Sequence, residues 1–366
     1  MMKRVIFYFL LPFGVFLGIC HHTKGQRNNH WELENRGYYG AIFRQELEDP
    51  LLLFPHLSGY ELSARKQSFG AREWEKYLKY PSLEFTLGYY NYGMPGTLGE
   101  SVMFATGLQL PVFRRLKWSI GVGGVYSNKI HHPTENSKNK AISTKVSAAI
   151  KTDLAYPFNL SERLDGHLSF SFRHFSNGNI QKPNYGLNFP MIGAGFTYQL
   201  YKEKPPLIPR DTAEFDRKIH FHLMFNRGWK NPSHFVTTRF RVNAISLYLT
   251  KKFAPVNSWL LGLDGFYDTS LYVEYWHQTD QQPPFEADNF IKQQAAFTAG
   301  HVLHLGKFSV VTVGGYLFYL PYPFHSRFYQ RYGFQYHPFR YTFLNVTLKA
   351  FRGTADLIEL GMGLSL

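Results

Sequence analysis

Residues 142–156 read Ile142-Ser143-Thr144-Lys145-Val146-Ser147-Ala148-Ala149-Ile150-Lys151-Thr152-Asp153-Leu154-Ala155-Tyr156. Ile142, Thr144, Val146, Ala148, Ile150, Leu154 and Tyr156 fall on one face of an extended chain. Ser143, Lys145, Ser147, Lys151 and Asp153 fall on the other. Successive side chains of a strand point to opposite faces, so this period of two predicts a strand with one apolar wall. The run is longer than an ordinary strand of about 5–6 residues. It matches the roughly 9–11 residues that a tilted strand needs to cross a bilayer.

The same alternation recurs outward from this stretch. Leu344, Val346, Leu348 and Ala350 alternate with Tyr341, Asn345, Thr347 and Lys349. Comparable runs lie near 81–90, 100–112, 116–127, 219–227, 235–250, 257–276, 290–304, 307–320 and 354–366, with weaker ones near 37–45 and 59–68. The expectation is an all-β chain forming one antiparallel transmembrane barrel of about 14 strands, within 12–16, closed by the run at 354–366. Composition agrees. Aromatic residues make up 18% of the 366 positions, with 34 Phe, 25 Tyr and 31 Gly, while mean hydropathy is only −0.28. No apolar run near 18 residues follows the N-terminal one, which excludes a helical membrane protein. A soluble β-sandwich shares this composition, and the length of the runs decides against it.

The N-terminus reads as an export signal. Lys3 and Arg4 precede an apolar run from Val5 to Ile19, and cleavage after Gly25 leaves Gln26 first. A lipoprotein signal ending at Cys20 is the competing reading. Cys20 is the only cysteine, so the mature chain has no disulfide framework and no cysteine metal site. The divisions expected are a signal peptide at 1–25, an N-terminal segment at 26–80 that includes possible first barrel strands, and a barrel region with the active-site hairpin at 81–201. A loop or linker follows at 202–218, containing Lys204-Pro205-Pro206-Leu207-Ile208-Pro209-Arg210, and then further barrel strands at 219–366. The formal charge of +14 falls to +11 without Lys3, Arg4 and Lys24. A basic lumen and basic loops account for it, as does attraction to an anionic membrane lipid; no motif suggests nucleic acid.

Chemistry concentrates at 174–188, His-Phe-Ser-Asn-Gly-Asn-Ile-Gln-Lys-Pro-Asn-Tyr-Gly-Leu-Asn. In the strand leading in, Gly166, Leu168, Phe170 and Phe172 share the apolar face, and His167, Ser169, Ser171 and Arg173 share the polar one. Continuing the period puts His174 and Ser176 on the apolar, outward side. In the next strand Ile192, Ala194, Phe196, Tyr198 and Leu200 set a parity that extends back through Pro190 to Asn188. A hairpin through 177–187 would therefore gather His174, Ser176 and Asn188 on the outer wall, where unpaired polar groups are costly. A serine hydroxyl becomes a nucleophile when an imidazole takes its proton, and a third group holds the imidazole's tautomer. Ser176 is the candidate nucleophile, His174 the base and Asn188 the orienter, with Asn177 or nearby backbone N–H groups for the oxyanion. A site on the outer wall meets a lipid ester laterally. Arg173, Lys182 and Asn184 are weaker candidates for substrate contact, the two cations toward phosphates. The pair His131-His132 lacks a third ligand and reads as a solvated loop.

His174-x-Ser176-Asn177 followed by Pro183-Asn184-x-Gly186 resembles the PagL-type lipid A 3-O-deacylases, acyloxyacyl hydrolase-like outer-membrane barrels that hydrolyse an ester-linked acyl chain of lipid A. The resemblance covers residues of about 80–201. It implies His174 as base, Ser176 as nucleophile, Asn177 near the oxyanion, no metal or other cofactor, lipid A of the outer leaflet as partner and the outer membrane as location. The chain departs from the family pattern at Asn188, where the family has a catalytic Glu. The outer-membrane phospholipase A family resembles this arrangement in using Ser-His-Asn. Two alternatives stay open: a barrel esterase acting on glycerophospholipid, and a non-catalytic structural or pore barrel, favoured by the second strand-rich half.

Overall fold

The computed structural model describes residues 30–43, 56–211, 214–234, 236–279, 286–322 and 326–366. The expected signal peptide at 1–25 lies outside the described residues. The first eight strands are β1 (Trp31–Ala41), β2 (His56–Gln67), β3 (Ser82–Asn91), β4 (Glu100–Phe113), β5 (Leu116–Ser127), β6 (Val146–Asn159), β7 (Leu164–Ser176) and β8 (Leu187–Gln199). The next eight are β9 (Ile219–Lys230), β10 (Phe240–Ala254), β11 (Asn257–Asp268), β12 (Gln293–Leu305), β13 (Phe308–Tyr319), β14 (Phe328–Phe339), β15 (Thr342–Phe351) and β16 (Thr354–Ser365). Two short helices, α1 (Glu73–Tyr77) and α2 (Leu271–Thr279), sit in connections.

The strands close into two barrels where the sequence suggested one. β8 returns to β1 with Glu32 opposite Gln199, and β16 returns to β9 with Glu359 opposite Gly228, so each set of eight antiparallel strands closes on itself. The sixteen described strands lie at the top of the expected range; the single closed barrel is what the structure corrects. The alternation is the same for one large barrel or two small ones, because it reports only which wall a side chain joins. Residues 31–67 supply β1 and β2 of the first barrel. In sequence, residues 200–218 join β8 to β9, and Ile208 in this stretch donates its N–H to the Phe69 carbonyl and accepts from the Tyr80 hydroxyl of the 68–81 connection.

Eight strands enclose a space that side chains just fill, and here they do. In the first lumen Arg36, Arg65, Lys151 and Arg173 are buried among Glu34, Glu61, Glu84 and Asp153. Arg173 Nη2 lies 2.6 Å from Glu61 and 2.8 Å from Asp153. In the second lumen Arg331 bridges Asp264 and Glu359, and Lys230 meets Asp268, Glu274 and Asp356. Both signs are matched inside, so the lumens are not the basic channels that the charge excess allowed. A buried charge without its partner would cost several kcal/mol, on the order of 3–5 when one member of a pair is removed.

The outer walls are apolar. Leu168, Phe170, Ile192 and Phe196 stand out from the first barrel, and Phe221, Leu247, Trp259 and Leu261 from the second. At 142–145 the strand reading fails: β6 begins at Val146, and Ile142 is packed in the interior cluster with Tyr90, Phe175 and Phe189.

The connections differ between the two ends of each barrel. At one end of the first barrel they run 42–55, 92–99, 128–145 and 177–186; at the other they run 68–81, 114–115 and 160–163. The second barrel likewise has 231–239, 269–292 and 320–327 at one end, beside the tight turn at 352–353. Only 255–256, 306–307 and 340–341 close the other end. The long-loop ends touch: Asn231 N–H donates to the Asn179 carbonyl at 2.9 Å, and Asn179 Nδ2 donates to the Asp356 carbonyl at 3.2 Å.

Candidate active site

The site lies where β7 runs into its hairpin at the long-loop end of the first barrel. Period two carries outward from Phe170, 59% exposed, through Phe172 to His174, while Arg173 between them turns inward and is 0% exposed. His174 stands directly opposite Asn188 of β8 and Ile150 of β6, and Ser176 stands opposite Ala148. Ile150 and Ala148 are exposed on the outer wall. On the other side, exposed Phe43 donates its backbone N–H to the Asn188 carbonyl at 2.7 Å. Apolar side chains therefore frame a small polar group.

His174 Nδ1 lies 2.7 Å from Asn188 Oδ1. An amide oxygen only accepts, so Nδ1 carries the proton and Nε2 keeps its lone pair for base work. The hydroxyl of Ser176 accepts two hydrogen bonds, from Gly178 N–H at 3.2 Å and from Asn184 Nδ2 at 2.9 Å. Among the described residues no hydrogen bond joins His174 to Ser176. Such bonds are often long in the free enzyme and tighten around substrate.

Hairpin residues 177–186 hold these groups through their own backbone. Gly178 has φ +62° and Gly186 has φ +76°, a left-handed region that favours glycine. A Cβ on Gly186 would lie 3.0 Å from His174 Cε1, so glycine also leaves room for the imidazole. Gly186 N–H donates to the Ala141 carbonyl and Tyr185 N–H to the Lys140 carbonyl, tying the hairpin to the 128–145 connection.

The remaining sequence candidates separate. Asn184 bridges the site, since its Oδ1 accepts from Asn177 N–H at 3.0 Å while its Nδ2 reaches Ser176. Asn177 is buried and its side-chain donor is occupied: Nδ2 donates to Ser143 Oγ at 3.0 Å and to the Gln181 carbonyl at 2.8 Å. The N–H donors on Ser176 Oγ thus belong to Gly178 and Asn184, and not to Asn177. Arg173 is removed from any surface contact by its lumen ion pairs, which corrects its reading as a phosphate ligand. Lys182 also turns away from the site, donating to the Pro232 carbonyl at 2.7 Å, and burial pushes its ammonium pKa down. His131 and His132 bond within their own loop, to the Asn139 carbonyl and to Thr134 Oγ1 and Glu135 N–H. Among the described residues no group of three potential ligands gathers to hold a metal.

Residues that sequence reasoning missed come from elsewhere in the chain. Ser143 anchors Asn177, and the second barrel supplies Asn231, Pro232, Arg239 and Asp356 as contacts to 179–182. No local pattern marks them, because their importance lies in a junction between distant strands.

Two family models match the chain: "Lipid A 3-O-deacylase (PagL)" over residues 58–197 and "Acyloxyacyl hydrolase, C-terminal domain" over residues 219–366. No curated protein matches. Among solved structures, a de novo designed transmembrane β-barrel is 11% identical, with 48% of this chain and 98% of that chain covered at a TM-score of 0.24. A triple mutant of the Rhodopseudomonas blastica porin is 8% identical, with 92% and 100% covered at a TM-score of 0.19. Neither superposition is close enough to bear on the arrangement of the barrels. The two family models divide between the two barrels, and the first contains the His174-Ser176-Asn188 hairpin whole; the chain belongs to the PagL-type lipid A 3-O-deacylase family.

Proposed function

We propose that this chain is an outer-membrane serine esterase that removes an ester-linked acyl chain from lipid A. The observation that carries the reading is the 2.7 Å contact of His174 Nδ1 with Asn188 Oδ1, both half-buried on an apolar outer wall, beside the Ser176 hydroxyl, which is buried under the hairpin and receives two N–H donors. Ser176 Oγ attacks the ester carbonyl while His174 Nε2 takes its proton. Attack frees the Ser176 Oγ lone pair that a donor holds in the resting chain, and Gly178 N–H and Asn184 Nδ2, released from Oγ, turn to the oxyanion that forms beside it. His174 then returns the proton to the departing sugar hydroxyl, leaving an acyl-serine. Water, activated by the same imidazole, releases the fatty acid and restores Ser176. No step calls for a metal.

Barrels of this class place short turns in the periplasm and long loops outside the cell. The hairpin belongs to the long-loop end, so the site lies at the level of the outer leaflet, where lipid A resides. Exposed Phe170, Leu154 and Ile192 continue down the wall below it and suit an acyl chain.

Mass spectrometry of lipid A from cells producing the wild-type protein or its Ser176→Ala variant tests the proposal. The expected result is loss of one hydroxyacyl mass with wild type only. Release of non-hydroxylated fatty acid from glycerophospholipid, with lipid A intact, would move the substrate to phospholipid. Unchanged lipids with the protein folded in the membrane would refute the enzyme reading.

A further inference from the structure

The second barrel meets the catalytic hairpin and carries three arginines close to it. A Cβ on Gly178 would lie 2.4 Å from Ile358 Cγ1, so the hairpin rests directly on β16. Ile358 precedes Glu359, which is opposite Gly228, and the next outward positions across the wall are Trp229 on β9 and Arg241 on β10. One residue pair lower, Leu360 is opposite Arg227, which is itself opposite Asn243. Neighbouring strands are about 4.8 Å apart, so Arg241 lies about 10 Å across the wall from Ile358. That is the scale of a hexosamine disaccharide. Arg239 completes the group: its Nη2 donates to Gln181 Oε1 of the hairpin at 3.1 Å.

All three arginines are exposed, and none has a carboxylate partner among the described residues. Every other arginine placed above in a lumen is paired. Arg227 has only a neutral acceptor, Asn243 Oδ1 at 2.8 Å on its Nε, which leaves both terminal nitrogens uncommitted. Its outward neighbours are apolar: Phe225, Trp229 and Leu360. A guanidinium on a lipid-facing wall is costly unless an anion lies beside it, and its planar fork fits two phosphate oxygens at once.

We infer that Arg227, Arg239 and Arg241 form a subsite for a lipid A phosphate, so that the second barrel holds the headgroup while the first cleaves the ester. The inference rests on the lipid A reading above and adds a role for the second barrel. It also returns the phosphate contact to the outer wall, where Arg173 and Lys182 do not supply it. Phosphate-bearing lipid is chosen over zwitterionic phospholipid because a phosphomonoester presents uncompensated charge to an arginine group that lacks acids.

The test uses the full chain with Arg227→Gln and Arg241→Gln combined; Arg239 is left in place because it touches the hairpin. The readout is the ratio of kcat/KM for bisphosphorylated lipid A to that for enzymatically dephosphorylated lipid A, with KM separated from kcat. The ratio is expected to fall at least roughly tenfold through KM, which corresponds to about 1.4 kcal/mol. An unchanged ratio, or equal loss on both substrates, overturns the inference. In parallel, the Ser176→Ala chain, with and without the two Gln substitutions, is bound to nanodiscs containing either lipid. Phosphate-dependent binding that the Gln substitutions abolish supports the subsite even where wild type cleaves no lipid A, which separates this inference from the deacylase proposal. Displacement of bound lipid A by millimolar inorganic phosphate would indicate a free-anion site and overturn the lipid assignment.

Discussion

Asn188 Oδ1 accepts a hydrogen bond from His174 Nδ1–H, yet it brings no charge to answer the imidazolium that the proposed attack by Ser176 would form. An amide in that place fixes the tautomer and leaves the electrostatic part of the work undone. Asn188→Ala is expected to lower kcat by on the order of 10²–10⁴, since a mis-set tautomer in a serine triad costs about the latter. Asn188→Glu restores the carboxylate that the resemblance led us to expect, and is expected to raise kcat above wild type. Initial rates on lipid A, or on a chromogenic ester, measure both. Wild-type rates in Asn188→Ala would remove Asn188 from the mechanism. At this scale the sequence was informative about identity and less so about roles. The period of two through Phe170, Phe172 and His174 is local and was readable. The donors on Ser176 Oγ were not, because they depend on how the hairpin folds back: Asn184 and Gly178 reach the hydroxyl, while Asn177 is committed to Ser143.

The hairpin between β7 and β8 is the element that converts strands into a site. Gly178 serves it in two ways: its N–H reaches Ser176, and its lack of a side chain admits Ile358 of the second barrel. Gly178→Ala adds a methyl group at 2.4 Å from Ile358 Cγ1 and places a non-glycine residue at φ +62°. The left-handed backbone alone costs about 1–2 kcal/mol. Displacing Gly178 N–H, the donor proposed for the oxyanion, is expected to reduce kcat by roughly 10²-fold or more. Ile358→Ala in the same chain relieves the clash and not the backbone strain, so partial recovery is expected. Steady-state kinetics on the single and double variants check this; a double variant no better than Gly178→Ala would show that the junction is not what positions the hairpin.

For the molecule as a whole, two filled barrels of eight behave differently from one open barrel of fourteen or sixteen. Arg36, Arg65, Lys151 and Arg173 occupy the first lumen together with their carboxylates, and Arg331, Lys230 and Lys349 occupy the second with theirs. The protein reconstituted into a planar bilayer is therefore expected to give no steady ion conductance. Stable channel currents would require a continuous water path and would contradict the packing described. This counts against the pore reading that the second strand-rich half had supported.

The sequence by itself determined the β-barrel class, the inward and outward faces of most strands and the pairing of His174 with Asn188 across one hairpin. Each of these is carried by neighbouring residues two apart or by one hairpin, and strand pleating turns such spacing directly into position. Only the tertiary structure decided that β8 closes on β1 and β16 on β9, that Arg173 is a lumen residue held by Glu61 and Asp153, and that the second barrel abuts the hairpin at 177–186. These depend on which distant strands pair and on which side chains fill a lumen of fixed width. Alternation leaves that choice open, because closure into one ring or two exposes and buries the same faces.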